Sequence, residues 1–147
     1  MAEAFVVLGN QLFDKKHLSS FKNNCHFFMQ EDMGLCSYFK HHKKKIYYFL
    51  ASMREYHDHL KNNGFKINYT KLDTNFSEYK NYFDGLISFL KLRKLSTINI
   101  FEIEDINFRN KFELFCKKNQ IKLIFHQSPM FLVKREDYDN FITSKNP

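Results

Sequence analysis

The chain has 147 residues, of which 44% are hydrophobic and 27% charged, with only 4 Gly and 2 Pro. That size and balance describe one folded domain; they exclude a long flexible linker and a low-complexity array, and no apolar run nears the ~20 residues a membrane-spanning helix needs. Lys and Arg outnumber Asp and Glu by 23 to 16, and the resulting +7 suits a nucleic-acid partner and an A/T-biased composition equally well.

Taken in chain order, the N-terminus carries no basic leader, so no secretory signal is expected. Phe5-Val6-Val7-Leu8 is short, β-branched and stopped by Gly9-Asn10, which predicts a strand and a turn. The polar segment from Asp14 to Asn24 is long enough to cross over a sheet with a short helix, and His26-Phe27-Phe28-Met29 is a second strand that ends before Gln30-Glu31-Asp32. From His41 to Asn63, Ile46, Phe49, Leu50, Met53, His57 and Leu60 share one helical face, and Asn63-Gly64 supplies the stop. Phe65 to Leu72 alternates as a third strand. A helix follows from Ser77, its expected N-cap, to Lys94, with Tyr79, Tyr82, Phe83, Leu86, Ile87 and Leu90 as its stripe and Gly85 out of place inside it. Thr97 to Phe101 is a fourth strand; Asp105 caps a helix with Phe108, Phe112 and Phe115 inward; Ile121 to Phe125 is a fifth strand; and a short helix is expected from Arg135 to Ile142.

Strands alternating with helices predict an α/β fold, a five-stranded, mostly parallel sheet with helices on both faces. Ligands in such sheets bind beyond the carboxyl ends of the strands, where strand order reverses. Gly9-Asn10-Gln11 is neither a dinucleotide fingerprint nor a P-loop. Its two amides suit the edge of a heterocyclic ring, or are simply a turn in water. Glu31, Asp32, Glu102, Glu104 and Asp105 could gather carboxylates at the same edge, although caps and solvated loops account for such residues more often. Cys25, Cys36 and Cys116 are odd in number and far apart, which argues against a disulfide framework, a zinc site or an iron–sulfur site and favours a reducing, cytoplasmic setting. His41-His42-Lys43-Lys44-Lys45 opens the long helix against the sense of its dipole, which points to a phosphate, an acidic partner or an internal carboxylate. His57 is read as a core histidine, the aromatics as packing, and no Ser-His-Asp or Cys-His set can be drawn from the spacing.

Four segments then carry a resemblance. Val6-Val7-Leu8-Gly9-Asn10-Gln11-Leu12, His41-His42-Lys43-Lys44-Lys45-Ile46 with Ala51-Ser52-Met53-Arg54, Gly64-Phe65-Lys66-Ile67-Asn68-Tyr69, and Pro129-Met130-Phe131-Leu132 stand in the order and spacing of matching motifs in the cryptochrome/photolyase family. The whole chain resembles the N-terminal α/β domain of the photolyase-related branch that includes bacterial iron–sulfur photolyases. Asn10 and Leu35 stand where that family often has an acid, and Phe101 to Asp105 only echo its segment after the fourth strand.

The resemblance implies a Rossmann-like domain over residues 1–147. It implies a pocket for an antenna chromophore of the lumazine type, formed by Gly9, Asn10, Gln11, Glu31, Met33, Tyr38 and Glu102. His41, His42, Lys43, Lys44 and Lys45 are expected to meet phosphate or a neighbouring domain. It further implies a FAD-binding helical domain with an iron–sulfur cluster as partner, in the same or a separate chain. The light-driven repair of DNA belongs to that domain, which these residues lack, so the chain alone is not expected to catalyse repair. No membrane partner is expected. Two other readings stand beside it: an α/β module that binds a nucleotide- or flavin-like ligand without catalysis, and a basic module that binds nucleic acid through Lys43, Lys44 and Lys45.

Overall fold

The computed structural model describes residues 2–37, 40–72 and 81–145. In chain order these contain β1 (Glu3–Val6), β2 (Cys25–Gln30), α1 (Met33–Ser37), α2 (Lys43–Asn62), β3 (Ile67–Thr70), α3 (Tyr82–Arg93), β4 (Thr97–Phe101), α4 (Ile106–Lys118), β5 (Lys122–His126) and α5 (Arg135–Lys145). The strands form one sheet in the order β3-β2-β1-β4-β5, and every pairing is parallel. β1 is central, as the Rossmann-like reading requires: Phe5 lies opposite Phe27 on one side and Asn99 on the other. The polar crossover holds two 3-10 turns, Lys15–His17 and Ser19–Phe21, where one short helix was expected, and α1 was not foreseen.

The apolar runs are continuous because both faces of the sheet are covered. Ala4, Val6, Leu8, Phe28, Ile98 and Ile100 point to one side and pack under α3 and α4 with Leu86, Leu90, Phe112 and Cys116. Phe5, Val7, Phe27, Met29 and Phe101 point to the other, where Met53 and Leu60 of α2 and Leu18 of the crossover close over them. All three cysteines are buried and free. Burial pushes the Cys25 thiol up to about 11 and that of Cys116 to about 12, so both stay protonated and serve as packing.

Local chemistry sets the helix ends. His42 caps α2 with its ring, Nδ1 accepting from the Lys44 N–H at 3.2 Å. Gly64, at φ +76°, takes the left-handed turn after α2 while the Phe65 N–H reaches back to the Leu60 carbonyl at 3.1 Å. Asp105 caps α4 as expected, accepting from the N–H groups of Asn107 (2.8 Å) and Phe108 (2.9 Å). Ser77 and Tyr79 lie outside the described residues; the helix starts later than expected, at Tyr82, and its N-cap is Asn81 rather than Ser77, with extended backbone and a side chain accepting from the N–H of Phe83 at 2.9 Å.

A partly buried polar chain, centred on the buried Asn99, crosses the α2 side of the sheet. Asn99 donates to Glu3 at 2.7 Å, and its carbonyl meets His126 Nε2 at 2.8 Å. Burial lowers the pKa of His126, so it sits as the neutral ring that donates to Asn99. His57 is only partly covered; it stacks on Tyr69 at 4.9 Å and meets Asp58 at 2.9 Å.

Candidate functional site

Strand order reverses between β1 and β4, and a crevice opens there at the carboxyl edge. Leu8, Gly9 and Asn10 after β1, Gln30 and Asp32 at the end of β2, and Ile103 and Asp105 after β4 form its floor and rim. Phe49 and Met53 of α2 wall it on one side, and Tyr82 of α3 and Phe108 of α4 on the other. Its volume is about 180 Å³. That holds the edge of a ring system, with the remainder outside, since sites that enclose a whole ligand run from roughly 300 Å³ upward.

Two close approaches shape this crevice. A Cβ on Gly9 would stand 2.5 Å from Phe49 Cζ and 2.8 Å from Met53 Sδ, so any side chain there would have to push these α2 side chains off the β1 turn. A Cβ on Gly85 would stand 1.8 Å from Gln30 Oε1, so the glycine that weakens α3 exists to admit the Gln30 amide. Gln30 and Tyr82 are both buried, and neither Gln30 Oε1 nor the Tyr82 hydroxyl has a hydrogen-bond partner among the described residues. A buried polar atom left unpaired costs roughly 1–3 kcal/mol; both residues border the crevice, with Gln30 Oε1 turned under its surface against Gly85. Burial drives the Tyr82 phenol well above its ordinary pKa, which keeps it a neutral hydroxyl able to donate or accept.

The expected pocket residues divide into distinct places. Gly9 and Asn10 line the crevice. Gln11 is buried behind it and braces the loop after β4, donating to the Glu102 carbonyl at 2.7 Å and to Glu104 at 3.3 Å. Asn10 donates to Glu104 at 3.2 Å from the exposed side. Glu102 thus contributes its backbone to the brace, and it also lines a second groove. Met33 is exposed on α1, and Tyr38 lies outside the described residues.

Glu31 faces the opposite side from Gln30, as neighbours at a strand end do. Its carboxylate is saturated by protein: Arg54 Nε at 2.7 Å and Nη2 at 3.0 Å, the Tyr69 hydroxyl at 2.5 Å, and the Leu72 N–H at 2.9 Å. Burial pushes this carboxyl up, but the Arg54 guanidinium, the Leu72 N–H and the Tyr69 hydroxyl outweigh it and hold the pKa below the ordinary carboxylate value. Glu31 therefore ties β2, α2 and the end of β3 together. Asp105 is committed to its cap, and among the described residues no three of His, Cys, Asp and Glu gather to hold a metal. His42 and Lys43 to Lys45 lie exposed at the start of α2, on the same edge of the sheet.

Sequence reasoning missed Gln30 and Tyr82. The one available signal was Gly85, a helix-weakening residue in an otherwise consistent stripe.

No helix among the described residues is long and apolar enough to cross a membrane. A family model for the deoxyribodipyrimidine photo-lyase-related proteins matches residues 5–147. No curated protein matches the chain.

Proposed function

The chain belongs to the deoxyribodipyrimidine photolyase-related family, and on that premise we propose that it is an antenna-type domain whose crevice holds the edge of a lumazine-type heterocycle. The observation that carries this reading is that Gln30 and Tyr82 border the crevice at the strand-order switch while Gln30 Oε1 and the Tyr82 hydroxyl have no hydrogen-bond partner among the described residues, so that a small turn of each side chain would present it to a ligand. A lumazine edge carries a ring N–H between two carbonyls. The N–H complements Gln30 Oε1, and a carbonyl complements the Tyr82 hydroxyl. Phe49, Met53 and Phe108 supply apolar contact for the ring faces.

The domain's second role in this reading is to pack on a FAD-binding helical domain, which would carry the flavin, any cluster and DNA repair. Met130, Phe131, Leu132 and Val133 after β5, with Tyr138 and Phe141 of α5, are exposed large hydrophobics close in sequence, the kind of surface that a partner domain covers. Glu102, Ile103 and Arg109 line a groove of about 580 Å³ beside them.

The test is a fluorescence-polarisation titration of the chain with a ribityllumazine. Saturable binding is expected. Tyr82→Phe should weaken it about three- to tenfold, the worth of one neutral hydrogen bond. The same change should leave stability unchanged or raise it by about 1 kcal/mol, because it removes an unpaired buried hydroxyl. Lack of binding by the parent chain, or a Tyr82→Phe variant that is destabilised yet binds unchanged, would overturn the reading.

A further inference from the structure

We propose that the outer face of the first two turns of α2, beside the crevice, is a contact surface for single-stranded nucleic acid. Met53 and Leu60 are the buried residues of α2 and fix its inner side. Lys44, Tyr47 and Tyr48, spaced i, i+3 and i+4, share the side that faces away from them. The two tyrosines are 70% and 69% exposed, stand 6.0 Å apart and meet at 76°. Lys43 and Lys45 flank them, also exposed, and Lys40 and His42 extend the basic surface beyond the cap.

These residues do not serve the helix. The first turn of α2 contains no acid, and three successive lysines there oppose its dipole. The tyrosine rings bury little against the core, so their apolar faces are left to water. Beside Tyr48 a shallow groove, lined by Asn10, Leu12, Lys45, Phe49 and Ser52, runs toward the β1 turn. The acids nearest along α2, Glu55 and Asp58, come two turns later.

Three ammonium groups match phosphates, and two exposed rings match unstacked bases; this pairing of charge and stacking is what binds single strands without sequence preference. A duplex would use the lysines and leave the rings idle, because its bases are already stacked. An acidic peptide would do the same.

The experiment is fluorescence anisotropy of a labelled oligothymidine of about 12 nucleotides, titrated with the chain between about 50 and 200 mM salt. Three phosphate contacts predict a slope of about −2 in log K against log salt. Replacing Lys43, Lys44 and Lys45 together by Gln should bring that slope toward zero. Replacing Tyr47 and Tyr48 by Ala should lower affinity about tenfold or more while keeping the slope, and Tyr→Phe at both should restore it. All five side chains are exposed, so circular dichroism should be the same for each variant. The proposal fails if the parent chain does not bind, if a duplex of equal length binds as tightly, if the alanine pair binds unchanged, or if anionic phosphatidylserine vesicles capture the chain while the oligonucleotide does not.

Discussion

Replacing Arg54 by methionine should lower the stability of the chain by about 3 kcal/mol and its melting temperature by about 10 °C. The cause is the charge left behind. The Glu31 side chain is fully buried, and its partner's removal strands a carboxylate with only Tyr69 and Leu72 to satisfy it. The effect falls at the lower end of the range for a broken buried pair because the Arg54 side chain is 40% exposed and water can replace part of it.

The pH dependence follows in sign. In the parent chain the Glu31 pKa is depressed on folding from its ordinary 4.5. Its contribution is therefore present above that value and lost as pH falls through the lower folded one. Without Arg54, burial is less opposed and the folded pKa rises, so the variant is penalised most at neutral pH. Urea denaturation at pH 7 and again near pH 4 should show the gap between parent and variant shrinking on acidification. Glu31→Gln, which removes the charge and keeps the shape, should cost less at pH 7 than Arg54→Met. An equal gap at both pH values would mean that Arg54 acts through packing alone.

The second large effect belongs to the centre of the sheet. Phe5 is fully buried on β1 and meets Phe21 at 4.7 Å, Phe101 at 5.3 Å and Phe27 at 5.4 Å, ring centre to ring centre. Phe5→Ala removes an aromatic anchor shared by β1, β2, β4 and the crossover. It should cost about 4 kcal/mol, through lost burial and the cavity left among three other rings. Phe5→Leu, which keeps most of the volume, should cost about a third as much. Thermal melts of both variants distinguish this from a surface role, for which the two would be alike.

How far the sequence disclosed this molecule depends on how local each determinant is. The strands were legible because a covered parallel strand needs side chains on both faces, and Phe5 to Leu8 and Phe27 to Met29 supply them without interruption. Asp105 and Gly64 were legible because caps and left-handed turns depend on one residue and its neighbours. The 3-10 turns and α1 were not, because segments that short carry no period.

The crevice was legible as a location and not as a set of residues. Gly9 and Asn10 were found because the carboxyl end of β1 had to be there. Gln30 looked like the first residue of a polar loop, and only the packing of α3 on β2 encloses it beside Gly85. Glu31 was grouped with the crevice acids, yet a one-residue step along a strand end reverses the side chain's face and delivers it to Arg54. The motif that carries Arg54 and the loop that carries Glu31 are therefore one device, joined across the sheet rather than along the chain.

The reading of the crevice as a heterocycle site is tested most directly by a crystal structure of the chain grown with a ribityllumazine. The predicted result is a ring edge between α2 and α3, its N–H on Gln30 Oε1 and a carbonyl on the Tyr82 hydroxyl. Ring density confined to another surface, with the amide of Gln30 and the hydroxyl of Tyr82 still unpaired in the crevice, would contradict it.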